Sequence, residues 1–322
     1  MVRPGVIIVS PAAAADNNGN WYTAARWRDF LQPAVQASVT QQWVDEPADA
    51  LIALHARKSA PSIERFRAAR PGGPIALVLT GTDLYRDIAT SPQAQRSLDL
   101  ADHLIVLQPL GLMRLSGAQR AKARVIVQSA PLGVPAAVAG DRPPVFVAVG
   151  HLRAEKDPLT LMEAARSLDP KERVHIDHIG AALDPGLADA ARQTMSDCPH
   201  YRWLGGLSHD QTLSAIAGAT ALVHMSRLEG GAHVVIEAVR AGLPVIASRI
   251  DGNVGLLGED YEGYFPAGDA QTLAAALRRF QADAAWAARL RRQCAERAQD
   301  FAPEREAAAV QRLVADMLAA GS

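Results

Sequence analysis

Cysteine is scarce in this chain of 322 residues, which has only Cys198 and Cys294. Two thiols cannot build a disulfide framework, and a chain with so few of them suits a reducing compartment. Long apolar runs are also missing near the start, where only positions 6–9 form an unbroken apolar stretch, far short of a signal peptide or a membrane span. We therefore expect a cytoplasmic protein with no integral membrane association.

An excess of charge of either sign is absent. The 33 basic and 34 acidic residues give a net charge of -1, so the basic footprint of a nucleic-acid-binding protein is missing. Apolar residues make up 49% of the chain and charged residues 21%, which is ordinary globular composition with enough apolar side chains for a sizeable core. The length suits about two domains. These values predict a folded protein without nucleic-acid partners.

Several familiar motifs are missing. The sequence has no G-x-G-x-x-G, no G-x-x-x-x-G-K-[ST], no G-x-S-x-G, no H-E-x-x-H, no paired C-x-x-C and no D-x-D. Dinucleotide redox chemistry, P-loop hydrolysis, serine hydrolysis and structural zinc therefore lack their usual signals. We expect no metal and no other cofactor.

Short apolar runs alternate with helix-length amphipathic stretches, which is the pattern of parallel strands joined by crossover helices. Strands are predicted at residues 6–10, 50–55, 74–80, 104–107 and 124–128, and again at 145–149, 174–179, 202–204, 221–224 and 244–248. An aperiodic stretch rich in alanine and proline, residues 130–144, separates the two series, and residues from 269 onward are almost wholly helical in pattern. The sequence predicts an α/β protein with two Rossmann-like domains, 1–140 and 141–322, and a helical C-terminal tail.

The most informative segment is 226–238, which follows a predicted strand and opens a helix. Its Gly230-Gly231 turn would present backbone N–H groups at a helix N-terminus, a ready site for phosphate or sugar hydroxyls. Glu237 lies eight positions after Glu229, so both carboxylates can face one crevice and bind a polyhydroxylated ligand. Taken alone, the two glutamates are equally compatible with a helix cap followed by an ordinary exposed residue.

Residues 204–210, 219–231 and 236–248 together resemble the donor-binding half of the glycogen-synthase-like family 4 glycosyltransferases. The hallmark is a glutamate, seven residues, a second glutamate, a helix of small residues and then Gly-x-Pro-Val, and the match covers about residues 145–280. The resemblance implies the GT-B fold, in which two Rossmann-like domains face each other across a cleft. In similar folds a final helix, here residues 303–320, crosses back to the first domain.

The same resemblance implies roles for individual residues. Glu237 would accept hydrogen bonds from the ribose of a UDP-sugar, and Glu229 would contact the donor sugar. Other donor-binding positions fall into two groups, one for the sugar and diphosphate and one for uracil: Gly230, Gly231, Ala232 and His233, then Leu204, Gly205, Gly206 and Leu207.

The turn after the predicted strand 145–149 carries the cations of this site. In the family a lysine here holds the diphosphate and stabilises the leaving group, which makes Lys156 a candidate catalytic residue. His151 stands where arginine is usual, so Arg153 is the candidate to supply the missing guanidinium. An exposed first-turn lysine without a functional role is the alternative interpretation of Lys156.

The first half of the chain has three polar turns at predicted strand ends, where open α/β sheets bind ligands. A small, highly charged anion would suit them, although each turn alone could be an ordinary cap. Their motifs, residues 17–21, 54–60 and 79–87, resemble those of a narrower group, the selenosugar synthases of selenoneine biosynthesis. The resemblance implies an acceptor site made by Asn17, Asn18, Gly19, Asn20, Arg57, Lys58, Thr80, Gly81, Thr82 and Asp83.

For that group the implied reaction joins selenophosphate to the anomeric carbon of UDP-N-acetylglucosamine or a related UDP-sugar, and releases UDP and phosphate. The selenium nucleophile is already anionic, so no general base is required; His55 is the candidate if one exists, and a neutral strand-end histidine is the alternative. Two other functions stay open: transfer to a hydroxyl of a sugar or lipid, and UDP-sugar binding without catalysis.

Overall fold

The computed structural model describes residues 3–13, 19–32, 34–133, 144–172 and 174–320. Contacts between residues divide the chain into two units. Unit 1 contains Met1–Ser129 and Pro303–Ser322, and unit 2 contains Ala130–Ala302. The predicted domain boundary at residue 140 lies outside the described residues.

Unit 1 contains a sheet of six parallel strands in the order β2-β1-β3-β4-β5-β6. The strands are β1 Gly5–Val9, β2 Gln36–Thr40, β3 Ala50–Leu54, β4 Ile75–Leu79, β5 His103–Val106 and β6 Ala123–Val125. Helices connect them: α1 Gly19–Leu31, α2 Ala60–Ala69, α3 Ile88–Thr90, α4 Pro92–Leu100 and α5 Gly117–Ala121. The central strands β3 and β4 are buried along their whole length, which is why their sequences are continuous apolar runs.

Unit 2 contains a second sheet of six parallel strands, in the order β12-β11-β10-β7-β8-β9. The strands are β7 Val145–Val149, β8 His175–Ile179, β9 Tyr201–Gly205, β10 Ala221–His224, β11 Val245–Ser248 and β12 Tyr264–Phe265. The helices are α6 Pro158–Ser167, α7 Pro185–Asp197, α8 His209–Gly218, α9 His233–Arg240, α10 Asp251–Leu257, α11 Ala270–Ala282 and α12 Ala284–Arg297. Numbered within the unit, the strand order is 3-2-1-4-5-6, which is that of dinucleotide-binding Rossmann folds.

The last helix, α13 Pro303–Ala320, packs in the core of unit 1. Its apolar side chains Val310, Leu313, Val314 and Met317 share one buried cluster with residues of α1 and of strands β1 to β5. At the start of the helix, Glu306 is buried and accepts hydrogen bonds from Arg26, Trp27 and Ser129. Both apolar and polar contacts therefore fix α13 to unit 1.

The predicted fold class is confirmed, because both sheets are parallel, helices join their strands, and the chain ends in helices. Two edge strands were not predicted. The strand β2 has the sequence QASVT, which contains no apolar run and buries only one residue, and β12 has only two residues. After β5 the chain forms a 3-10 turn, Pro109–Arg114, followed by the short α5.

Candidate functional site

The strand order of unit 2 creates a crevice between two neighbouring strands. β7 and β10 are adjacent in the sheet, but the chain leaves β7 towards β8 and leaves β10 towards β11. Loops that diverge in this way open a crevice at the carboxyl ends of the strands, where α/β proteins bind ligands. Lys156 follows β7 and Glu229 follows β10, so the two loops at this crevice carry both candidate charged residues.

Lys156 and Glu229 form an ion pair at this crevice. The Lys156 ammonium donates to Glu229 Oε1 at 2.5 Å, and Ser226 Oγ donates to the same oxygen at 2.7 Å. The side chains of Lys156 and Glu229 are 18% and 12% exposed. Burial would raise the pKa of the Glu229 carboxyl, but the Lys156 ammonium and the neighbouring His224 together outweigh this effect and hold that pKa well below its usual value. Glu229 is therefore an ionised hydrogen-bond acceptor at neutral pH.

A close approach of backbone explains part of the Glu229 geometry. A Cβ atom added to Gly252, near the start of α10, would lie 2.4 Å from the carbonyl oxygen of Glu229. No side chain fits in that space, so glycine lets α10 pack directly against the loop. The position of Glu229 depends on this contact.

Glu237 lies in the middle of α9, and its side chain is 7% exposed. His233 Nδ1, one turn earlier in the helix, is 3.0 Å from Glu237 Oε1, and His209 Nε2 at the start of α8 is 3.6 Å from the same oxygen. The turn formed by Gly230, Gly231 and Ala232 precedes α9 directly. The structure thus places Glu237, its two neighbouring histidines and a helix N-terminus together in unit 2.

The ends of β7 and β8 touch each other beside this site. A Cβ atom on Gly180 would lie 1.9 Å from the carbonyl oxygen of Gly150, so only glycine allows the two strand ends to approach. His151 Nδ1 accepts a hydrogen bond from the backbone of Ala181 at 3.1 Å. His151 therefore helps to hold the loops after β7 and β8 together. Its contact with a UDP-sugar stays a prediction.

The predicted uracil residues lie at the end of β9. Gly205 has φ 72°, a left-handed conformation that favours glycine, and Leu204 is 38% exposed. Gly206 and Leu207 follow in the loop before α8. Exposed apolar surface at a strand end is suitable for a flat base, but no contact in the structure tests that role.

Arg153 lies in the loop between β7 and α6, and its Nε is buried with no hydrogen-bond partner among the residues the structure describes. A buried guanidinium N–H without an acceptor costs free energy unless a ligand or water satisfies it. This unsatisfied donor favours Arg153 as a second cation for an anionic ligand.

In unit 1, His55 follows β3 directly and has φ 73°, an uncommon backbone conformation for a residue other than glycine. It is 2% exposed, and burial lowers its pKa below the usual value. The backbone N–H of Lys58 donates to His55 Nδ1 at 3.4 Å, which places the ring proton on Nε2, 3.1 Å from Thr82 Oγ1. This geometry favours a neutral strand-end histidine over a general base.

Asp83 is fully buried and both of its carboxylate oxygens are engaged. Oδ1 accepts from the backbone N–H groups of Thr80 and Gly81, and Oδ2 accepts from that of Ala56, each at 2.9 Å. Asp83 therefore braces the loops after β3 and β4 against each other. Its predicted acceptor contact would require these bonds to change.

The remaining predicted acceptor residues are spread over three loops of unit 1. Arg57 Nε donates to Asp87 Oδ2 at 2.8 Å, and Lys58 is exposed. Gly19 and Asn20 form the start of α1, whereas Asn17 and Asn18 lie outside the described residues. Three residues that the sequence reasoning did not select also lie at these sites: His224, Ser226 and Asp87. The alternation of polar residues 224 and 226 at the end of an apolar strand is the signal that could have identified the first two.

Among the residues that the structure describes, no group of three or more His, Cys, Asp or Glu side chains is placed to hold a metal ion. None of the described helices combines the length and the apolar character needed to cross a membrane.

Solved structures with this fold are similar to the whole chain. A sucrose-phosphate synthase from Thermosynechococcus elongatus is 19% identical, with a TM-score of 0.80, and the alignment covers 99% of this chain and 100% of that one. HepE of Anabaena, in complex with UDP and glucose, is 16% identical with a TM-score of 0.73 over 98% and 99% of the two chains. The lipopolysaccharide outer core galactosyltransferase WaaB is 13% identical with a TM-score of 0.68 over 97% and 99%. The two Rossmann-like sheets therefore define a GT-B fold.

A family model gives the more specific assignment. The model of glycosyl transferases group 1 matches residues 135–301, which is just over half of the chain and includes the described donor-side candidates Lys156, Glu229 and Glu237. The chain belongs to this family and is a glycosyltransferase.

Proposed function

We propose that this glycosyltransferase uses a UDP-sugar as its donor. The observation that carries the proposal is the ion pair of Lys156 and Glu229 at the crevice between β7 and β10, with Glu237 eight positions further along the chain in α9. One cation and two ionised or ionisable acceptors match a ligand that has a diphosphate, a ribose and a hexose. HepE, which shares the fold, was solved with UDP, with UDP and glucose, and with UDP-glucose, and these complexes support the choice of nucleotide.

In the proposed reaction Lys156 and Arg153 bind the diphosphate. Negative charge accumulates on the diphosphate as the bond from the anomeric carbon breaks, and fixed cations in a partly buried site stabilise that charge more than water does. The Glu229 carboxylate accepts hydrogen bonds from hydroxyls of the sugar, and Glu237 accepts hydrogen bonds from the ribose. Donor binding thus replaces the ion pair of the free protein with contacts to the ligand.

The acceptor that we propose is selenophosphate. Its selenium atom attacks the anomeric carbon, a carbon–selenium bond forms, and the electrons of the broken carbon–oxygen bond leave with UDP. Water then cleaves the selenium–phosphorus bond, which gives a 1-selenosugar and phosphate. The support for this acceptor is the resemblance of the three polar turns of unit 1 to selenosugar synthases, together with the cationic Arg57 and Lys58 beside His55.

The first experiment identifies the acceptor. The purified protein is incubated with UDP-N-acetylglucosamine and either selenophosphate or a panel of sugar and lipid alcohols, and the products are identified by mass spectrometry. A selenosugar together with UDP is the expected result. If UDP is released only with an alcohol and selenophosphate has no effect, the acceptor is a hydroxyl and the selenium proposal is wrong.

The second experiment tests the donor site. We expect Glu237→Ala to weaken UDP binding by about tenfold or more, because a hydrogen bond to a charged group is worth roughly 1.5–3 kcal/mol. Lys156→Ala should mainly lower kcat, with Lys171→Ala, an exposed lysine of the same unit, as the matched control. Normal activity in both Glu237→Ala and Lys156→Ala would contradict the donor site, and tight UDP-sugar binding without turnover for any acceptor would identify a binding protein.

A further inference from the structure

His224 is the last residue of β10, and it is buried at the point where the strand meets the Glu229 loop. The strand lies between β7 and β11 in the sheet, and His224 is 2% exposed. Its Nε2 lies 3.3 Å from Ser226 Oγ and 3.5 Å from Glu229 Oε1. A histidine ring is therefore in contact with both the carboxylate and the hydroxyl group that binds it.

Packing alone does not explain a histidine at this position. Its Nδ1 is buried and has no hydrogen-bond partner in the part of the chain that the structure describes. A buried polar atom without a partner costs free energy, whereas leucine would fill a similar space without that cost. The histidine must provide something through Nε2 that an apolar residue could not.

The hydrogen-bond directions show what Nε2 provides. Ser226 Oγ donates its hydrogen to Glu229 Oε1 at 2.7 Å. The lone pairs of Ser226 Oγ can therefore accept a hydrogen from His224 Nε2. The backbone of Ser226 is already fixed, because Ser248 Oγ donates to its carbonyl oxygen at 2.6 Å. Only the direction of the Ser226 O–H bond remains free. An N–H donor at His224 Nε2 directs the hydroxyl hydrogen of Ser226 towards Glu229.

Donor binding makes this arrangement important. In the free protein the Lys156 ammonium bonds Glu229 Oε1 as well, and it is the strongest cationic contact of that carboxylate. If Lys156 turns to the diphosphate of the donor, Glu229 loses that contact. Ser226 and His224 are then the groups that hold the carboxylate in place for the hydroxyls of the sugar.

We infer that His224 is a positioning residue that, through Ser226, fixes the Glu229 carboxylate for recognition of the donor sugar. The inference rests on the proposed UDP-sugar donor. It assigns to His224 a contribution to the sugar part of donor binding and none to the nucleotide part, because Glu237 and the helix N-terminus before α9 are separate contacts.

The test compares the binding of UDP with that of UDP-N-acetylglucosamine by calorimetry, because only the second ligand reports on the sugar. His224→Leu removes the N–H group that donates to Ser226 and replaces the ring with an apolar side chain of similar volume. We expect the dissociation constant of UDP-N-acetylglucosamine, divided by that of UDP, to rise by about tenfold. The dissociation constant of UDP itself should stay within twofold of the original value. Turnover should fall by at least the factor by which this ratio rises.

Two further variants separate positioning from folding. His224→Gln carries an amide N–H at nearly the reach of Nε2, and it should restore most of the ratio, whereas the shorter His224→Asn should not. His178→Leu is the matched control. His178 is a buried histidine on β8 of the same sheet, also has a ring nitrogen without a partner in the described residues, and should lower the melting temperature without changing the ratio.

An unchanged ratio in His224→Leu, or an equal shift in His178→Leu, would overturn the inference and leave the donor proposal intact. If the unmodified protein binds neither UDP nor the UDP-sugar, the proposed function fails and this inference fails with it. Should His224→Leu not fold, the comparison of His224→Gln with His224→Asn decides: equal ratios for the two variants overturn the inference.

Discussion

Replacement of Glu306 by glutamine should strongly destabilise unit 1. The side chain of Glu306 is 0% exposed. Its carboxylate accepts from Arg26 Nε at 2.7 Å, from Arg26 Nη2 at 3.1 Å and from Trp27 Nε1 at 2.7 Å. The backbone N–H and the hydroxyl of Ser129 donate to it at 2.8 and 2.5 Å. Every one of these contacts brings a donor to a charged acceptor.

The substitution Glu306→Gln keeps the shape of the side chain but puts an NH2 group where donors point. It also leaves the Arg26 guanidinium without its anionic partner. Breaking a buried ion pair from one side costs about 3–5 kcal/mol, and the lower limit fits here because one carbonyl oxygen can still accept hydrogen bonds. For a unit of this size, about 3 kcal/mol corresponds to a decrease of the melting temperature of roughly 9 °C.

Scanning calorimetry measures this change, and hydrogen exchange of residues 303–320 locates it. The matched control is Glu304→Gln, an exposed glutamate in the first turn of the same helix, which should change the melting temperature by less than about 1 °C. We expect faster exchange along α13 in Glu306→Gln only. Equal melting temperatures for the two variants would refute the argument that buried polar contacts fix this helix.

Three further predictions concern backbone contacts and pH. Gly252→Ala should lower turnover by about tenfold or more, because its Cβ would displace the Glu229 loop, whereas Gly218→Ala, with open space around its Cβ, should not; steady-state kinetics measures both. Asp83→Asn should lower the melting temperature by several degrees, since it puts an NH2 group where three backbone N–H groups converge, and a stability equal to that of the unmodified protein would contradict the bracing role. Burial lowers the pKa of His178 to about 4, below its unfolded value of 6.5. The unfolded chain therefore binds a proton here more readily than the folded protein, and the free energy of unfolding should fall by about 3 kcal/mol as the pH decreases from above 6.5 to 4. Denaturant titrations across this range should show a flatter pH dependence in His178→Leu, and an unchanged slope would contradict the prediction.

Most of the fold could be predicted from the sequence because parallel strands that are buried on both faces need uninterrupted apolar runs. The strands β3 and β4 are such runs, and their neighbours could be read in the same way. The edge strand β2 could not be predicted, because only one of its five residues is buried and its pairing with β1 joins segments that are far apart in the sequence. Edge position thus decides which strands leave a recognisable pattern.

The candidate site also has residues that the sequence could indicate and contacts that depend on the fold. Glu229 and Glu237 lie in one continuous motif, so both could be selected from the sequence, where the family resemblance favoured a shared ligand over a helix cap followed by an exposed residue. The contact of Lys156 with Glu229 joins residues 73 positions apart and depends on the adjacency of β7 and β10, which local sequence does not contain. The hydrogen bonds by which Asp83 joins two loops, and the contact of His224 with Ser226, likewise depend on tertiary structure and could not be predicted from the sequence.

The return of α13 to unit 1 has a consequence for how the protein is made. Unit 1 begins with the first strand of the chain, yet its apolar core includes Val310, Leu313 and Met317. The first part of unit 1 is therefore synthesised before all of unit 2, and its core cannot be completed until α13 has been made. During that interval the apolar surface that α13 will cover is exposed to water and to other chains, which makes nascent unit 1 prone to aggregation.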